Sequence, residues 1–147
     1  MPSMKRIAIS VAAGMLSAAV GNAPAWAHHS GAMFDMFHCK TISGTVRVLQ
    51  WSYPHNWLWV DQPLANGTQA VWGFEFMSPT QAENIDPLWS RDVMKKGDKV
   101  TVKFGPLRDG RNGGALAWVL IPSGHTLHAS PGLCTLPPGG APGGPPP

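Results

Sequence analysis

Trp57-Leu58-Trp59-Val60-Asp61-Gln62-Pro63-Leu64-Ala65-Asn66-Gly67-Thr68-Gln69-Ala70-Val71-Trp72-Gly73-Phe74-Glu75-Phe76-Met77 reads as two strands and the turn between them. Asn66-Gly67 is the turn signal, because both residues accept the left-handed backbone that a tight hairpin needs. Beyond it, Ala70 to Met77 alternates, with Trp72, Phe74 and Phe76 on one face and Val71, Gly73, Glu75 and Met77 on the other. Only the aromatic face suits a core. Before the turn, Trp57 and Trp59 share one face while Leu58 and Val60 share the other. Both faces of that strand are apolar, so the tryptophans either cover one end of a small core or form a recognition surface.

Working outward, Thr41 to Trp51 places Ile42, Val46 and Val48 among small or polar residues, a strand in which Gly44 marks a bend or bulge. Ser52 to Asn56 turns that strand into the next. After Met77, Ser78-Pro79-Thr80 opens a helical stretch that runs to Met94. Pro87 interrupts it, so two short helical pieces, or a helix and a loop, are expected. Gly97-Asp98 leads into the alternating strand Lys99 to Phe104. Pro106 to Gly114 is a loop carrying Arg108-Asp109-Gly110, and Ala115 to Ile121 is a long apolar strand. Ser123-Gly124 turns the chain into a short terminal strand through His128. Three strands, a helical insertion and two or three more strands predict an all-β fold. The expectation is a small five- to six-stranded OB-like Greek-key barrel with a short helical insertion between strands 3 and 4, with a β-sandwich as the alternative.

The chain ends read differently. Lys5 and Arg6, the apolar run Ile7 to Val20, helix-breaking Gly21 and Pro24, and the small-residue site Ala25-Trp26-Ala27 form a secretory signal over residues 1–27. The run is too short for a membrane span, so a periplasmic or secreted protein with no stable span after processing is expected. Loss of Lys5 and Arg6 leaves nine basic residues against eight acidic ones, which removes the case for nucleic-acid binding. Residues 28–136 form the single barrel domain. Residues 137–147 are a Pro/Gly-rich tail with nothing to anchor it, expected to be disordered. Export makes a Cys39–Cys134 disulfide the expectation, closing a long loop; the alternative is that Cys39, beside His38, is a soft metal ligand.

Several motifs recur in order: His28-His29-Ser30 with Phe34-Asp35; Gly44-Thr45-Val46; Trp51 with Pro54-His55; Trp72 and Glu75 with Ser78-Pro79; Gly97-Asp98-Lys99-Val100-Thr101-Val102; and Pro106 with Arg108-Asp109-Gly110. Together they resemble the exported bacterial family known as domain of unknown function 6152, from His28 to about Leu127. The resemblance implies a small exported β-domain and brings no established activity. Tyr53 stands where that family tends to have Asn, and Ser123-Gly124 where it tends to have Asp-Gly.

Two functional readings follow from the residues. Cleavage after Ala27 gives His28 a free amine beside its imidazole, a chelating pair that suits Cu(II). His55 is the expected further ligand and His29 the nearer alternative, so copper is the expected cofactor. Met33 and Met36 are soft donors in that reading, or else a segment packed on the barrel with Phe34 and Phe37. The second reading is a non-catalytic module in which Trp51, Trp57 and Trp59 receive a small ligand or a periplasmic partner protein. No G-x-S-x-G, H-E-x-x-H or paired catalytic carboxylate pattern is present, so binding is expected rather than catalysis.

Overall fold

The computed structural model describes residues 31–135. The expected signal segment, His28 and His29, and the Pro/Gly-rich tail lie outside the described residues. Six strands form in chain order: β1 (Lys40–Gln50), β2 (Asn56–Pro63), β3 (Gln69–Phe76), β4 (Lys99–Pro106), β5 (Gly113–Leu120) and β6 (Thr126–His128). One helix, α1 (Pro79–Ile85), lies between β3 and β4. The order β3-β2-β1-β4-β5, with β3 and β5 paired in parallel at Gly73–Glu75 and Gly113–Ala115, closes a five-stranded barrel. β6 pairs with the far end of β5, outside the ring. Closure decides for the barrel over the sandwich.

β1 makes the closure possible by serving two neighbours. Lys40 to Thr45 pair with β4, and Thr45 to Gln50 pair with β2. Gly44 sits at the crossing, where a Cβ would stand 2.4 Å from the Asp61 carbonyl oxygen. Its role is close backbone approach, while the bulge itself falls at Arg47, between Val46 and Val48. The β2–β3 hairpin pairs from Asn56↔Phe76 to Pro63↔Gln69, and Gly67 supplies the positive φ of its turn. The loop between β4 and β5 is shorter than its sequence suggested, because Pro106 and Gly113 already belong to strands.

Alternation fixes which side chains go inside. Leu58, Val60, Phe74, Val102, Phe104, Leu116 and Val119 are fully buried and pack as one core. Each such side chain contributes about 1.5–3 kcal/mol through removal from water. Ser78 and Gln81 open α1, the Gln81 amide oxygen accepting from the Ser78 hydroxyl at 2.9 Å, with Pro79 in the first turn. The chain after α1 carries Trp89 into the core, stacked at 6.3 Å on Trp51 and 4.7 Å from Phe76. The Trp89 indole donates to the His128 carbonyl at 2.8 Å, so the segment after α1 and β6 hold each other.

Cys39 and Cys134 form a disulfide with Cα atoms 5.6 Å apart. No free cysteine remains, which removes Cys39 as a thiolate ligand. Among the described residues no helix is long and apolar enough to cross a membrane.

Candidate functional site

The outer face of β2 and β3 carries the chemistry that the core does not absorb. Trp57 and Trp59 project outward, half-buried, opposite Leu58 and Val60. Their rings stack with centroids 5.6 Å apart and planes inclined by 19°. Across the ladder Trp59 faces Gly73 and Trp57 faces Glu75. A Cβ on Gly73 would stand 2.7 Å from the Trp59 ring, so the missing side chain is what lets the indole lie against the β3 backbone.

These residues line a groove of about 300 Å³. Met33 and Phe34, and Leu107, Arg111 and Asn112 of the β4–β5 loop, complete its lining. The Met33–Asp35 segment is held by backbone: Arg108 N–H donates to the Met33 carbonyl at 2.9 Å and Asp35 N–H to the Pro106 carbonyl at 2.8 Å. Phe34 forms a bridge with Leu107. Next in the chain, the Asp35 carboxylate accepts from His38 N–H at 3.0 Å and from Phe37 N–H at 3.1 Å, and it pairs with the His38 ring at 2.9 Å. The His38 backbone bond first, then the His38 ring, hold the Asp35 carboxyl down at about 2 against a smaller upward push from burial, with Phe37 N–H adding a lesser downward pull.

A second depression of about 210 Å³ adjoins the groove, sharing Trp57 and Glu75 with it. His55 lies here on the β1–β2 turn, its Nδ1 in contact with Glu75 Oε1. Buried Asn56 positions the turn, its Nδ2 donating to the Met77 carbonyl at 2.8 Å and its Oδ1 accepting from Ser52 N–H at 3.0 Å. A larger depression of about 350 Å³ over β1 and β4 offers only Lys99 as an ionisable group.

The residues singled out from sequence separate into three places. Trp57, Trp59 and His55 lie along one continuous surface. Trp51 packs instead against Trp89 and the core, so its ring is not part of the groove. His28 and His29 lie outside the described residues. Asp35, Glu75 and Asp109 take separate partners, His38, His55 and Arg111. Among the described residues no group of three or more His, Cys, Asp or Glu side chains converges as a metal site.

Glu75, Gly73, Asn56, Arg111 and Asn112 were not assigned from sequence to any binding surface. The hairpin register held the signal for three of them: a turn centred on Asn66-Gly67 places Trp57 beside Glu75 and Trp59 beside Gly73, and puts Asn56 at the end of the ladder.

Neither a curated protein nor a solved structure matches the chain. Residues 15–116, from within the expected signal segment into β5, match the family of unknown function DUF6152, and the chain belongs to that family.

Proposed function

We propose that this protein is a non-catalytic binding module whose groove takes an oligosaccharide-like ligand. Sugar rings stack their apolar faces on Trp57 and Trp59, and their hydroxyls meet Glu75, Arg111 and Asn112. The observation that carries this reading is the stacked tryptophan pair on the outside of β2, in a groove bounded by the β1–β2 turn and the β4–β5 loop. In small Greek-key barrels the face of strands 2 and 3 with these two loops is a recurrent site for oligonucleotides and oligosaccharides. Charge favours the sugar. Of the residues lining the groove Arg111 is the cation, already paired with Asp109 at 2.7 Å, and Glu75 would repel a phosphate backbone.

Titration of tryptophan fluorescence with cellohexaose and chitohexaose tests this reading. A saturable change is expected for the wild type and its loss in Trp57→Ala. No change in emission and no heat of binding with either sugar would sink it.

A second reading, copper binding by an exported protein, keeps one specific support. Met33, which lines the groove, is five residues from His28, and an extended chain of that length reaches about 17 Å at most. A terminus processed at His28 is therefore within that reach of Met33. The disulfide suits the oxidising compartment that this reading requires. Copper EPR spectra of protein beginning at His28, and of a variant with one glycine added before it, test this directly. A nitrogen-rich spectrum that changes with the added glycine is expected; identical spectra would remove the terminal site.

A further inference from the structure

Trp72 and Trp89 use their indole N–H groups inside the fold, donating to Gln62 Oε1 at 2.8 Å and to the His128 carbonyl at 2.8 Å. The indole N–H groups of Trp57 and Trp59 have no acceptor among the described residues, although both residues line the groove. A ligand suited to this pair brings an apolar ring and a carbonyl acceptor together. A polyproline II segment does both. Its carbonyls are unpaired within the helix, and its proline rings dock on aromatic-lined grooves.

The chain carries such a segment of its own. Beyond Thr135, the last described residue, the sequence runs Leu136-Pro137-Pro138-Gly139-Gly140-Ala141-Pro142-Gly143-Gly144-Pro145-Pro146-Pro147, without a charged side chain. Pro142 and Pro145 have the spacing of one polyproline II turn, about 9 Å long, enough to cover indoles whose centroids are 5.6 Å apart. The exit point favours this segment over a separate partner. Cys134 is bridged to Cys39, and its N–H donates to the Met36 carbonyl at 3.2 Å. Met36 is three residues from Met33, which lines the groove, a separation of at most about 11 Å. Twelve residues follow Thr135, and a polyproline II helix of that length reaches about 37 Å. A short tether holds a segment at an effective concentration on the order of millimolar, so a weak contact suffices to fill the groove. We infer that the Pro142–Pro147 stretch docks in cis on Trp57 and Trp59, its proline rings on the indoles and its carbonyls accepting from the indole N–H groups. The docked tail then competes with any other ligand of the groove. Its occupancy does not depend on the oligosaccharide reading.

Nitrogen-15 correlation spectra of the indole N–H groups test this without a ligand. The signals are identified by their loss in Trp57→Ala and Trp59→Ala. Wild type is compared with a tail variant carrying Pro142→Gly, Pro145→Gly, Pro146→Gly and Pro147→Gly, all outside the disulfide-closed barrel. The Trp57 and Trp59 signals are expected to differ between the two proteins while those of Trp72 and Trp89 coincide. A peptide of residues 137–147, added to the tail variant at millimolar concentration, should return them toward the wild-type positions. Unchanged Trp57 and Trp59 signals overturn the proposal. A difference that grows with protein concentration assigns the tail to the groove of a second copy and overturns docking in cis. The sugar arm uses whichever of cellohexaose and chitohexaose binds. The tail variant is expected to bind it about 3-fold more tightly, because a tail that fills about two-thirds of the grooves leaves about one-third of the molecules competent. Equal affinities overturn the competition and leave the oligosaccharide reading standing. Shifted indole signals without sugar binding by either protein remove that reading and leave the docked tail.

Discussion

Among the described residues, two stacked tryptophan pairs share nearly the same geometry in different surroundings. Trp51 and Trp89 stand 6.3 Å apart at 24°, and Trp57 and Trp59 stand 5.6 Å apart at 19°. The first pair joins the core: Trp89 is 1% exposed and its indole N–H is satisfied by a β6 carbonyl. The second lies on the outside of β2, over a glycine, and leaves the space before it open. Stacking alone therefore does not distinguish an aromatic pair that holds a fold from one that offers a surface. What lies behind the rings does.

The sharpest way to break this comparison is to truncate both pairs. Trp89→Ala leaves a cavity in the core and strips the His128 carbonyl of its donor, so it should cost about 3–5 kcal/mol of stability, measured as a fall in the urea midpoint. Trp57→Ala should cost only about 1 kcal/mol, the scale of one exposed stacking contact, and its main effect should be lost ligand binding. Equal stability losses for the two variants would mean that Trp57 belongs to the structure of the barrel. Gly73→Ala sharpens the point by leaving both indoles in the chain. The added methyl displaces the Trp59 ring, with expected weakening of sugar binding and a thermal midpoint within a few degrees of wild type.

The smallest effect concerns Asp35, on the segment that brings Met33 and Phe34 to the groove. The Asp35 carboxyl titrates at about 2 in the folded protein against an ordinary value of 3.8, so the unfolded chain binds the proton more readily. The stabilisation is present above about pH 4 and is lost as pH falls through about 2. Asp35→Asn should accordingly be less stable than wild type at about pH 5, with the difference in urea midpoint shrinking toward about pH 2. A difference that stays constant across that range would assign the Asp35 effect to shape and not to charge.

Much of the barrel was legible because its strands obey a simple period. The alternation at Trp57–Val60 and at Trp72–Phe76 separated inside from outside, and Asn66-Gly67 fixed the hairpin. The helix before Pro87 and the strand after Ser123-Gly124 also follow local signals. The candidate site was legible only in part, because it depends on contacts between segments far apart in the chain. Trp51 is six residues from Trp57, yet the Ser52–His55 turn sends the two rings to opposite sides of the β2 backbone. Met33 and Phe34 reach the groove through pairing with Leu107 and Arg108, more than 70 residues away, which no local pattern announces. The bulge falls at Arg47 and not at Gly44, whose constraint comes from the Asp61 carbonyl of the neighbouring strand, a contact that the local sequence does not announce.

The Cys39–Cys134 bridge has a topological consequence. All six strands and α1 lie between the two cysteines, so the bridge turns the whole barrel into one covalent ring. A protease that cuts a single peptide bond in the exposed Arg108–Arg111 loop linearises that ring and releases no fragment. Nicked protein should run as one species on a non-reducing gel and as two once the bridge is reduced. In a compartment where peptidases and oxidants coexist, the first cut leaves both halves of the groove tethered to each other.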